Sequence, residues 1–253
     1  TEAGTRALAL ARQCGDLSCQ GATLNLLAWF EADQAKALKM RQQALAAYVA
    51  AGNLHGMAII IGNLGSMAIS MGLYRQARRQ LAEADAMHRR MGNQGALAVN
   101  SGNLFEAELR MGNLEAARVA GAEAAEIVRT LNFRRFAGWP SGYLGRLALA
   151  EGRYAEAVRL YERACEEQGP HNDGVLMALE GDLAHALIKT GEPAKALAAT
   201  RRAVALHEAK GLAWLDGMDP PFLWWRHAQA LAANRRHAEA ASALTKAYHF
   251  LVD

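Results

Sequence analysis

The stretch GNLGSMAISMGLYRQA, residues 62–77, returns forty residues later as GNLFEAELRMGNLEAA, residues 102–117, with six of the sixteen positions identical. A repeat of this period is the strongest constraint on the fold. Each copy is one supersecondary unit that can bury its apolar face only against its neighbours. With Gly72 as anchor, the equivalent positions are Ala32, Gly72, Gly112, Gly152, Gly191 and Arg235, spaced 40, 40, 40, 39 and 44. Five residues after each stands an alanine: Ala37, Ala77, Ala117, Ala157, Ala196 and Ala240. Seven further on another follows: Ala44, Ala84, Ala124, Ala164, Ala203 and Ala247. Eight before the anchor come Leu24, Leu64, Leu104, Leu144 and Leu183, with His227 in the last unit.

Each unit has the pattern of two helices. Apolar residues make up 52% of the chain, proline numbers only five, and β-branched runs are rare, a composition that favours helix over strand. Leu64, Ala68 and Met71 form an apolar stripe at helical spacing, and Gly72 supplies the left-handed residue that ends a helix cheaply. The second helix starts near Tyr74 and runs through Ala77, Leu81, Ala84 and Met87. Its paired alanines share one face and let neighbouring helices approach closely. Loops between units are rich in Gly and Asn, and Asp219-Pro220-Pro221 has the form of an N-cap followed by proline in the first turn.

These residues resemble the tetratricopeptide repeat, whose pattern has Leu-Gly in the first helix, Gly at the turn, an aromatic two residues on, and two Ala seven apart. Leu64-Gly65, Gly72, Tyr74, Ala77 and Ala84 match it, and Leu144-Gly145, Gly152, Tyr154, Ala157 and Ala164 match it again. The longer unit, of about forty residues, is similar to the repeats of kinesin light chains and of spindle-orienting Leu-Gly-Asn adaptors. It is also similar to the repeat arms of bacterial signal-transduction ATPases, adenylate cyclases and large transcriptional activators. The resemblance implies an all-α fold: a right-handed superhelix of about six helical hairpins spanning residues 1–253 as one domain, itself a fragment of a longer protein. It further implies a scaffold, not an enzyme, that binds an extended peptide or partner segment in its concave groove. The alternative it implies is an effector-sensing regulatory arm of a larger signalling protein.

First helices line the concave side of such a stack. Ten residues before the anchors stand Gly62, Gly102, Gly142 and Gly181, each unfavourable in mid-helix by about 1 kcal/mol, so close approach is expected there. They either leave room for a peptide or admit the next repeat. Asn63 and Asn103 follow, with Tyr143 and Arg226 in equivalent places, and one turn on come Ser66, Arg146 and His185. In the resembling adaptors an asparagine at this position contacts bound peptide, which carries over to Asn63 and Asn103 alone; the other reading has them bridge adjacent repeats. Arg110, Arg146, His185, Lys189 and Arg226, set against Glu106 and Asp182, bias the groove toward acidic ligands. The cluster Trp214, Phe222, Trp224 and Trp225 is expected to seal the last repeat.

Other chemistries find little support. A net charge of +3, from 28 basic and 25 acidic residues, is too balanced for a nucleic-acid surface. No stretch approaches the roughly eighteen apolar residues of a membrane span. Three cysteines at no useful spacing suit reduced thiols in a cytoplasm, with Cys14 and Cys19 expected to fill core. Eight scattered histidines form no ligand pattern, and GNLG falls within a helix, so neither metal nor cofactor is expected. Residues 1–15 have the pattern of a second helix alone, which predicts fraying or self-association at that end.

Overall fold

A computed structural model describes residues 2–31, 33–213 and 217–252; the anchor Ala32 and Trp214 lie outside the described residues. The chain divides into two compact units, residues 1–127 and 128–253. The first holds α1 (Glu2–Gln13), α2 (Leu17–Trp29), α3 (Gln34–Ala50), α4 (Leu54–Ser70), α5 (Tyr74–Arg90), α6 (Gln94–Arg110) and most of α7 (Leu114–Thr130). The second holds α8 (Trp139–Ala150), α9 (Tyr154–Gln168), α10 (Asp173–Lys189), α11 (Pro193–Ala209), α12 (Pro220–Ala233) and α13 (His237–Val252). Short 3-10 turns at Arg134–Phe136 and Gly169–His171 precede α8 and α10. Among the described residues there is no strand; the fold is all-α, built of consecutively packed helical hairpins.

Helix ends follow the sequence signals. Gly72 has φ +74°, and the N–H of Leu73 donates back to the Ala68 carbonyl at 2.8 Å, which closes α4. Gly112, Gly152 and Gly191 turn the chain the same way, while Arg235 adopts φ +61° with a side chain that must bear the strain. At the starts, Asn53 accepts from the N–H of Gly56 at 2.9 Å, Asn93 from Ala96 at 3.1 Å, and Asn172 from Val175 at 3.2 Å. Asp219 caps α12 as the sequence predicts, through the N–H of Phe222.

The alanine columns form the seams. Ala37, Ala77, Ala117, Ala157 and Ala196 are at most 1% exposed, and Ala44 through Ala247 in the second column at most 4%. The Leu-Gly pair has a clear role beside them. A methyl group on Gly65 would lie 2.7 Å from Leu81 Cγ, and one on Gly145 would lie 2.9 Å from the Tyr161 ring. These glycines therefore let the second helix close on the first. The glycines ten residues before the anchors serve the next repeat instead. A methyl on Gly62 would meet Asn100 Oδ1 at 2.7 Å, and one on Gly142 would meet Leu179 Cδ2 at 3.0 Å. Space that the sequence left open to a peptide is filled at those two positions by the following first helix.

Several residues depart from the expected pattern. Met71 is 45% exposed, because α4 has ended and the residue caps it, pointing past the seam. Leu144, on the first helix of the second unit, is 50% exposed while its neighbour Tyr143 is buried. Cys14 and Cys19 are exposed and do not fill core: Cys14 follows the last residue of α1, and Cys19 sits in the first turn of α2, where its N–H bonds the capping Asp16. At the N-terminus α1 is a formed helix that buries Gly4, Leu8 and Ala11. At the other end α13 exposes Leu244 and Leu251, at register positions that earlier units bury under the following hairpin.

Candidate partner-binding face

First helices lie side by side within each unit, α2 with α4 and α6, and α8 with α10 and α12. This places the residues near the middle of each first helix in rows across successive hairpins. In the first unit the row is mostly polar and uncharged, with Glu106 as its charged member. Asn63 on α4 donates through Nδ2 to Asn25 Oδ1 on α2 at 3.0 Å, bridging two hairpins. Ser66 and Asn103 are half-buried, and Arg110 pairs along its own helix with Glu106 at 2.7 Å.

In the second unit the row is charged and contiguous. Asp182 on α10 is 5% exposed and accepts from Arg146 Nε on α8 at 3.0 Å. Its other oxygen lies 4.0 Å from Arg226 Nη2 on α12. One carboxylate thus joins three successive first helices. Arg226 also donates to Gln229 at 3.0 Å, and its guanidinium sits 4.5 Å from the Phe222 ring centroid and 4.8 Å from that of Trp225. One turn along α10, His185 is half-buried and held down to about 4, by burial first and then by the charges of Arg226 and Lys189, against the pull of Asp182. It is a neutral imidazole at pH 7, able both to donate and to accept. Lys189, a further turn on, is exposed, and no carboxylate among the described residues pairs with it. Tyr143 lies inside this row, buried, with its ring 5.9 Å from that of Trp139.

The aromatic cluster divides. Trp224 is 5% exposed and donates from Nε1 to His207 Nδ1 at 3.1 Å; the same imidazole, fully buried, bonds the Ala213 carbonyl through Nε2 at 3.2 Å. That half seals the last repeat, as expected. Trp225 is 39% exposed and packs at a tilt against Phe222, with ring centroids 5.4 Å apart, so the expectation of a seal does not hold for it. Adjacent tryptophans on a helix point about 100° apart, and only the rotation of α12 decides which one meets solvent.

Five of the residues singled out from sequence therefore share this row, Arg146, His185, Lys189 and Arg226 with the buried Tyr143, beside Asp182, Phe222 and Trp225. Asn63, Ser66, Asn103 and Arg110 belong to the other unit. No helix among the described residues is long and apolar enough to cross a membrane.

Comparison with known proteins agrees with this architecture. A tetratricopeptide-repeat family model matches residues 148–209, from the end of α8 to the end of α11. No curated protein matches the sequence. Among solved structures, NprR in complex with its cognate peptide NprX aligns with TM-score 0.65 and 14% identity, over 93% of this chain and 68% of that one. BtubC from P. vanneervenii aligns with TM-score 0.63 and 19% identity, over 85% and 92%. A signal-transduction ATPase with a tetratricopeptide repeat sensor, from Pyrococcus horikoshii, aligns with TM-score 0.60 and 15% identity, over 88% of this chain but 35% of that one. At such identities the likeness shows a shared fold. Residues 148–209 match the tetratricopeptide-repeat family, and along the rest of the chain the likeness is one of fold.

Proposed function

We propose that this chain is a non-catalytic scaffold that binds an extended, acidic protein segment along the first-helix face of residues 128–253. The observation that carries the reading is the solvent-facing Trp225, backed by the Arg226 guanidinium and followed along the row by His185 and Lys189. An exposed aromatic held by a neighbouring ring and a guanidinium is a low-entropy anchor, and that cation adds selectivity for carboxylates. Asp182 sets the orientation of the arginines from within. In residues 1–127, Asn63, Ser66, Asn103 and Arg110 offer hydrogen bonds to a peptide backbone in the same manner. NprR, which shares the fold, was solved with a peptide, which supports the same class of ligand here.

A second reading assigns this face to an effector, received on behalf of a larger signalling protein. It is favoured by the likeness to a sensor that forms only part of the Pyrococcus horikoshii ATPase.

The test is a peptide library graded by acidity, probed with the chain and with two surface variants. Trp225→Ala should weaken the best binder roughly thirty-fold, the loss of a typical aromatic hot spot, and Lys189→Glu about ten-fold. Unchanged binding by both variants, or a preference for basic peptides, would exclude this face as the site.

A further inference from the structure

Arg41 is a charge in the wrong place. It lies on α3 in the register column that holds Leu81, Gly121, Tyr161, Thr200 and Leu244 in later units, of which all but the terminal Leu244 are buried. Arg41 itself is 7% exposed, and burial lowers its guanidinium pKa with no carboxylate acting in the other direction. Its surroundings are apolar. Nη1 donates to Met67 Sδ on α4 at 3.3 Å, the Trp29 ring stands 5.4 Å from the guanidinium carbon, and Nε has no acceptor. The nearby carboxylates in the chain are already engaged in the α2–α3 turn. Glu31 accepts from the N–H of Asp33 at 3.1 Å, and Asp33 caps α3 through Ala35 and Lys36. Three other buried charges sit beside countercharges: Asp182 has two arginines, Glu180 has Arg202 at 2.7 Å, and Glu108 has Arg78 at 3.9 Å. A buried cation without a counterion is costly, and a well-packed apolar side chain in its place is commonly neutral or stabilising.

We propose that Arg41 is the floor of a second partner-binding site, one that takes an aspartate or glutamate side chain of a partner segment. The geometry supports a carboxylate in particular. With Nη1 turned to Met67, Nε and the remaining Nη form the side-on edge of the guanidinium, which matches the two oxygens of a planar carboxylate. Trp29 is the cover. Its indole is 59% exposed and lies over the cation, so a rotamer change exchanges the ring contact for the incoming anion. The surface around it suits the rest of such a segment. Leu26, one turn before Trp29 on α2, and Phe30, which caps that helix, are 52% and 66% exposed and offer apolar ground for the residues beside the acid. This site lies wholly within residues 1–127, and it stands or falls separately from the face assigned above.

The experiment uses the whole chain, titrated with propionate or inorganic phosphate against chloride at constant ionic strength, with melting temperature and tryptophan emission as readouts. Propionate should raise the melting temperature of the wild type by about 2–4 °C and change the emission. Arg41→Lys keeps the charge but lacks the side-on edge, and should lose both responses. Trp29→Phe should keep the thermal response and lose the emission change. Arg41→Met, which removes the buried charge, should melt no lower than the wild type in chloride. A propionate response that persists in Arg41→Lys, a phosphate response equal to or larger than that of propionate, or no wild-type response at all would each overturn the assignment. A sharp loss of stability in Arg41→Met would instead make Arg41 a packing residue.

Discussion

Asp182→Ala is expected to destabilise residues 128–253 by about 3–5 kcal/mol, the cost of breaking a buried ion pair by removing one partner. The carboxylate is 5% exposed and serves Arg146 at 3.0 Å and Arg226 at 4.0 Å, so its loss acts on three hairpins together. Urea unfolding followed by circular dichroism measures it. The double variant Asp182→Ala with Arg226→Met separates charge from packing: removing the second charge should recover much of the loss. An Asp182→Ala curve that overlays the wild type would mean that the ion network does not bind the first helices to one another.

A second buried aspartate should behave in the opposite way. Asp85 on α5 is 6% exposed, its Oδ1 lacks a partner, and its pKa is raised from 3.8 to about 6. Burial is the main cause and the Glu123 carboxylate adds to it, against the opposing influence of Arg89 and the Asn100 amide. Because the folded value lies above the unfolded one, the native state binds the extra proton between about pH 4 and 6. Stability from this group is therefore present below pH 4 and is lost as pH rises through 6. At pH 7 the ionised carboxylate costs the fold about 2–3 kcal/mol relative to a neutral side chain. Asp85→Asn should return that amount at pH 7 and change little at pH 4. Urea unfolding of the two proteins at both pH values gives the difference directly, and subtracting one from the other cancels the histidines. Equal stability differences at the two pH values would contradict the raised pKa.

Much of the fold was legible because the signals that mark it are local. A glycine or its substitute at each anchor, an asparagine or aspartate at a helix start, and alanines at fixed offsets each encode one backbone event, and these events recur on schedule. The face that a first-helix residue presents was harder to read. Tyr143 and Leu144, or Trp224 and Trp225, are adjacent in sequence, yet one of each pair is buried and the other exposed. The repeat period fixes the spacing of helices but not the rotation of each about its axis, which packing against neighbours decides. For Asn63 the sequence left a peptide contact and a bridge between repeats both open, and only the packed structure shows the bridge, to Asn25, a partner 38 positions away. Arg41 was missed, although the sequence held a cue. A column that holds no charged residue in the other units (Leu81, Gly121, Tyr161, Thr200, Leu244) carries an arginine in the first, and a charge in such a column is a functional signal.

The central claim is that the first helices of residues 128–253 form the recognition face. Amide hydrogen exchange of the whole chain, with and without the tightest peptide from an acidic library, tests it most directly. The account predicts new protection in α8, α10 and α12, at residues 139–150, 173–189 and 220–233, with α9, α11 and α13 unchanged. Protection confined to those second helices would place the partner on the opposite side and contradict it.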